Sequence, residues 1–333
     1  MNGGPGGDHM EGDGGIDVMF GGDDPDHMEG NNGDDTMYGE SGDDDMIGGS
    51  DNNDAEPDTG ETLMSGGLGN DVMTGDNAAI LPGGYVGGRA VTLHDPTVGG
   101  PDHMEGDAAT DYMFGQVGGD EMWGDQGVNG PDLGPGDADY MEGNDGDDTM
   151  NGEEGNDDMV GGSSATTGAI VEFRIGTDAA DVGETLMTGG PGNDWMAGDN
   201  ARMNRVLKGL GADALDIDPL ELFDLAGVGN PAVLGSAHGG DTMNGDGGTD
   251  FMFGQGSNDT MSGGAMPDYM EGNDGNDTMA GNDGDDDMVG GGSALDGVVQ
   301  RIRVGEGLHD EGETNMSGGD GADWMAGDNA FMN

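Results

Sequence analysis

Gly3–Glu11 reads GGPGGDHME, and Gly12–Phe20 follows it without a gap as GDGGIDVMF. Set one under the other, the two nonapeptides agree at the first and fourth glycines, at Asp8 and Asp17, and at Met10 and Met19. The same frame returns in Gly30–Tyr38 (GNNGDDTMY), Gly189–Ala197 (GGPGNDWMA) and Gly245–Phe253 (GDGGTDFMF). The common form is G-[GND]-x-G-x-D-x-M-x. Methionines fall nine apart at Met1, Met10, Met19, Met28, Met37 and Met46, and again in runs such as Met243–Met288. Of the 27 methionines, only Met203, Met266 and Met332 fall outside this pattern.

The frame has a physical reading. Its first six positions are Gly, Asp and Asn, which suit tight turns and positive φ. Its last three residues, x-M-x, are enough for one short strand, with Met inward and its neighbours outward. Two nonapeptides then make one coil of eighteen residues with a strand on each side. One coil cannot bury its methionines alone, but stacked coils can. Twelve coils at the inter-strand spacing would span roughly 58 Å. The expected fold is therefore all-β, a parallel β-roll of 18-residue coils interrupted by inserted loops and hairpins.

Composition narrows the function. The 333 residues carry 71 Asp+Glu against 7 Lys+Arg, a net charge of −64, with 77 Gly and no Cys. Binding to nucleic-acid phosphates needs positive charge that this chain lacks. No apolar run approaches ~18 residues, so no membrane insertion by a helix is expected. Disulfides and cysteine metal sites are excluded. No nucleophile elbow or phosphate-binding loop occurs, so an enzyme is not expected. Low hydrophobicity and high charge alone would describe a disordered chain, but disorder gives no reason for the nine-residue spacing.

Stacking explains the charge. It brings same-side residues such as Asp8 and Asp26 to about one strand spacing apart, and such a ladder repels itself unless cations lie within it. Carboxylates and turn carbonyls are hard oxygen ligands suited to calcium.

The pattern resembles the RTX, or haemolysin-type, calcium-binding nonapeptide repeat. The resemblance covers about two thirds of the chain and departs from the family in placing Met where Leu, Ile or Phe is usual. It implies a right-handed roll in which the position-six aspartates and turn carbonyls of successive coils hold multiple Ca2+ ions. Carried over, it marks Asp8, Asp17, Asp26, Asp35, Asp44, Asp71, Asp102, Asp111, Asp120, Asp139, Asp148, Asp157, Asp194, Asp241, Asp250, Asp259, Asp268, Asp277, Asp286 and Asp323 as ligands. At the degenerate coils Gly60–Met64 (GETLM), Gly183–Met187 (GETLM) and Gly312–Met316 (GETNM), Thr62, Thr185 and Thr314 stand in place of the ligand Asp, so calcium there is expected to be weak or absent.

A longer period overlies the short one. His27–Ser50, Tyr140–Ser163 and Tyr269–Ser293 are copies of one unit, each followed by an insertion, a degenerate coil and the phrase GDNA. Three modules follow: 1–103 with insertions near 48–62 and 78–97, 104–242 with insertions near 161–182 and 201–235, and 243–333 with one near 291–311. All seven basic residues lie in insertions: Arg89, Arg174, Arg202, Arg205, Lys208, Arg301 and Arg303. Ala169–Ile175, Val298–Val304 and Arg89–His94 alternate like strands. Met203–Leu234 reads as a short helix or a loop. A half-coil near Asn129 and Pro131 lacks both Asp and Met and reads as a break or bend. The chain stops at GDNAFMN, where earlier modules enter an insertion, and we expect a piece of a longer array.

The functional expectation is a secreted or cell-surface calcium-binding protein with a scaffold role: a rod, filament, surface layer, adhesin stalk or matrix. It would fold on calcium after export and self-associate head to tail or laterally. One alternative is a calcium-dependent export and folding appendage of a larger enzyme or toxin. Another is soft-metal (copper) binding through the stacked methionines, although Met as plain core filler explains them better, since buried thioethers in a continuous apolar stack need no ion. His9 and His27, one coil apart beside Glu11 and Glu29, could hold zinc or copper at the surface, but a solvated surface ladder is the favoured reading. Ice binding would need a regular outward ladder, which the mixed outward residues do not supply.

Overall fold

The computed structural model describes residues 1–51, 60–86, 88–94, 99–125, 138–162, 186–199, 201–202, 221–222, 239–291 and 315–327. The proposed strands 169–175 and 298–304, the half-coil near Asn129 and Pro131, and Thr185 and Thr314 lie outside them, as does the stretch 203–234 apart from Glu221–Leu222, which pairs antiparallel with Ala201–Arg202.

The described residues form two parallel sheets of 12 strands each. The chain alternates between them. Gly4–Pro5, Val18–Asp23 and Thr36–Ser41 belong to one sheet, and His9–Glu11, His27–Glu29 and Asp45–Ile47 to the other. Each residue therefore pairs with the residue one coil on, as in Met19↔Met37 and Met10↔Met28. This is a parallel β-roll, as the spacing predicts. Among the described residues there is no helix.

Methionine stacks on methionine throughout, and insertions leave that register intact. Met46 pairs with Met73, Met64 with Met104 and Met187 with Met243. Twenty-one of these methionines, from Met10 to Met288, form one buried core, with Met316 packed against its end. An unbranched thioether fills such a narrow seam without the χ1 restriction of a β-branched residue.

The turns confirm the reading of the Gly/Asp/Asn positions. Position two adopts the left-handed region even where it is not glycine, at Asn31 (φ 71), Asn144 (φ 76) and Asn282 (φ 74). Asn tolerates this conformation better than most residues. Met266 takes a position-four turn site (φ 82) and lies exposed, which accounts for its being out of phase.

Two features differ from the sequence reading. Strands of the first sheet extend to six residues where the following turn residues continue the pairing, as in Val18–Asp23 and Thr36–Ser41. Several outward positions are also buried. Tyr112, Phe114, Tyr140, Trp195, Phe251, Phe253 and Tyr269 form an apolar layer on the second sheet's outer face, with Trp195 stacked on Phe251 at 4.6 Å. Alternation fixes the direction of a side chain but not whether something covers it.

The insertion after Gly75 is a hairpin, Ala78–Val86 against Arg89–Leu93. It places Arg89–Leu93 as a strand, as its alternation predicts, and buries Ala78, Ile80, Val91 and Leu93. Arg89 anchors it to the roll's acidic flank. Its Nε lies 2.7 Å from Asp45 Oδ1, Nη1 donates to Asn70 O at 2.9 Å, and Nη2 donates to Asp44 O at 3.3 Å.

Candidate metal centre

Each position-six aspartate sits at the end of a turn, immediately before a strand, as Asp8 precedes His9–Glu11 and Asp26 precedes His27–Glu29. Its side chain then lies along the flank between successive coils. One carboxylate oxygen is spent on the backbone. Asp8 N donates to Asp26 Oδ1 at 2.7 Å, Asp26 N to Asp44 Oδ1 at 2.7 Å, and Asp44 N to Asp71 Oδ1 at 2.7 Å. The relay continues through Asp111, Asp139, Asp157, Asp194, Asp250, Asp268, Asp286 and Asp323. Twelve aspartates thus form an unbroken ladder on one flank. The opposite flank joins Asp17 to Asp35, Asp102 to Asp120 and Asp148, and Asp241 to Asp259 and Asp277.

The second oxygen faces inward. Oδ2 of Asp26, Asp35, Asp44, Asp71, Asp111, Asp120, Asp148, Asp259, Asp268 and Asp286 is buried with no hydrogen-bond partner. It points at the position-one glycine of its own turn. A Cβ on Gly39 would collide with both Asp44 Oδ2 and the carbonyl of Gly66. One on Gly66 would collide with Asp71 Oδ2 and lie 2.8 Å from the carbonyl of Gly106. The missing side chain leaves a cradle bounded by an anionic oxygen and a carbonyl from the next coil. Such a hard-oxygen pair fits calcium. The residues present therefore fit the ion that the sequence implies.

The electrostatics differ in emphasis from the sequence argument. Like-charge neighbours do raise these carboxyls, but burial is the larger cause. Burial pushes Asp44, Asp148 and Asp268 up to about 7 and Asp71 to about 8. Asp259 is pushed up to about 10 by burial, and next by the charge of Asp241. Without a cation, these groups are driven towards the protonated form.

One residue escaped the sequence reading. Thr62 does stand at position six, but its hydroxyl donates to Asp34, away from the turn. Glu61, one residue earlier, is buried and places Oε2 in the cradle of Gly48, where other turns place Asp Oδ2. Its N–H donates to Asp102 Oδ1 at 2.7 Å, taking the place of the ladder rung. The GET coil therefore keeps a carboxylate at the turn, and the extra methylene of Glu makes up the one-residue shift. The signal was present in the invariant Glu of the three GET phrases, Glu61, Glu184 and Glu313. Asp76 of the GDNA phrase is also buried, and it closes the insertion by accepting the N–H of Gly100 at 3.2 Å and of Val117 at 2.9 Å.

Comparison with known families agrees with this geometry. The family described as the RTX calcium-binding nonapeptide repeat (4 copies) matches residues 2–28, 20–55, 59–79, 97–130, 134–167, 239–265 and 262–294, more than half of the chain. Repeats of this family bind Ca2+ at multiple sites. No curated protein matches the chain. The stacked coils, the paired aspartate ladders and these seven matches lead to one conclusion: the chain belongs to the RTX calcium-binding nonapeptide repeat family.

Proposed function

We propose that this chain is a secreted calcium-binding scaffold, a rod or filament element of a surface layer, adhesin stalk or matrix, that folds when it meets calcium outside the cell. The twenty position-six aspartates, with Glu61, hold the ions together with the turn carbonyls. One observation carries the reading: a ladder of twelve aspartates whose inner oxygens, from Asp8 to Asp286, are buried at the position-one glycines, most of them beside a carbonyl of the next coil. Burying ionised carboxylates without a counter-charge is costly, and a divalent cation at each turn removes that cost. Folding and ion binding become one equilibrium. Self-association, head to tail or lateral, belongs to the same reading.

The test is far-UV circular dichroism with small-angle scattering during a calcium titration from chelator, with magnesium as control. A cooperative gain of β signal and compaction with calcium alone supports the reading. A compact β-rich state in chelator at neutral pH sinks it, because the methionine core would then suffice without the ion. Sedimentation in saturating calcium tests association.

A further inference from the structure

His9–Glu11 and His27–Glu29 both read His-Met-Glu, and they pair in register: His9 on His27, Met10 on Met28, Glu11 on Glu29. With both methionines buried in the core, the histidines and glutamates share the outer face. The two imidazoles stack with centroids 4.9 Å apart and planes within 3°. Both turn the same nitrogen towards one carboxylate. His27 Nε2 lies 3.2 Å from Glu29 Oε1 and His9 Nε2 lies 3.9 Å from it, while Glu11 Oε1 stands 3.0 Å from His9 Nε2.

Glu29 is not a loose surface acid. It is 3% exposed, and its Oε2 accepts the N–H of Asp51 at 3.2 Å. That bond holds the other oxygen on the imidazoles, the kind of backing that orients a metal-ligating side chain. Donor atoms of His9, His27 and Glu29 all lie within 4.8 Å of one another.

We propose that His9 Nε2, His27 Nε2 and Glu29 Oε1, with Glu11 beside them, form a surface site for a divalent ion of the zinc class, Zn2+ or Cu2+, separate from the calcium turns. Two neutral imidazoles and a carboxylate suit such ions. Calcium prefers oxygen alone, so excess calcium does not compete for the nitrogens.

The third copy of the tripeptide is an internal control. His103 faces Glu121 across the register, not a second histidine. Its two ring nitrogens lie 3.1 Å from Glu105 and 3.1 Å from Glu121. It has carboxylates in plenty but a single imidazole.

The experiment uses the whole chain in saturating calcium, titrated calorimetrically with Zn2+, with circular dichroism confirming an unchanged fold. One ion should bind per chain, and His9→Ala should weaken it by about tenfold or more. His9 is half exposed, so this variant keeps the roll. His103→Ala should leave the binding unchanged. With Cu2+, electron paramagnetic resonance should show two nitrogen ligands in the parent and one in His9→Ala. The proposal is overturned if no saturable zinc binding occurs, if His9→Ala binds as well as the parent, or if His103→Ala weakens binding equally. Loss of fold in calcium would count against the calcium reading instead, and the dichroism separates the two.

Discussion

Asp71→Asn should change sign with calcium. Asp71 is fully buried, its Oδ1 accepts the N–H of Asp44 at 2.7 Å, and its Oδ2 has no hydrogen-bond partner. Burial pushes its pKa from 3.8 to about 8. At pH 7, carrying this group into the fold without a cation costs about 4 kcal/mol, at about 1.36 kcal/mol per pKa unit. Asparagine keeps the oxygen that serves Asp44, and its amide can donate to the Gly106 carbonyl facing the same cradle. In chelator the variant should therefore fold more easily, by up to about 4 kcal/mol less the cost of burying the amide itself. In calcium it should fold less easily, because the turn loses its anionic ligand. The assay is osmolyte-driven folding in chelator, followed by circular dichroism, beside a calcium titration of the same protein. The trimethylamine oxide midpoint should fall while the calcium midpoint rises and fewer ions bind. A shift of the same sign in both arms, or none in either, would refute the argument, since the Asp71 charge would then not be both the cost in chelator and the ligand in calcium.

Acid should partly replace calcium. The raised carboxyls of Asp44, Asp148 and Asp268 (about 7) and Asp71 (about 8) lie above the unfolded value of 3.8, so their contribution is full below that value and lost as pH rises through 7–8. Scattering in chelator should show compaction as pH falls from 8 towards 4, and expansion instead would contradict it. Glu61→Gln should remove an ion from the GET turn and lower calcium stoichiometry by flow dialysis, whereas Thr62→Val should leave it unchanged. Met141→Ala should destabilise the calcium-bound roll by about 2–5 kcal/mol and Met141→Leu by less than about 1.5, measured by urea unfolding in calcium. Arg89→Ala strips Asp45 of a mostly buried partner and should cost about 3 kcal/mol, read as protease cleavage within the Ala78–Leu93 hairpin.

Much of the candidate site was legible in the amino-acid order. Every position-six Asp chosen from the repeat lies on one of two flanks, because a nine-residue period with one inward Met forces every second repeat onto the same side. What remained hidden depended on contacts across insertions. No spacing rule tells that Asp44 bonds Asp71, Asp71 bonds Asp111, or Asp194 bonds Asp250, since the intervening loops differ in length. Glu61 was hidden for a related reason: position counting assigned the turn to Thr62, and only the depth of the Gly48 cradle shows that a longer side chain one residue earlier reaches it. His9 and His27 could be placed one coil apart from sequence, but the burial of Glu29 and its hold by Asp51 could not.

The sequence by itself determined the coil, the two faces and the methionine seam, because these follow from periodicity and local turn chemistry. The tertiary structure alone decided which oxygens are buried, and hence that desolvation outweighs repulsion along the ladders. It also decided where Arg89 lands and which outward aromatics are covered. Burial is a property of everything packed around a residue, and no local pattern in the chain records it.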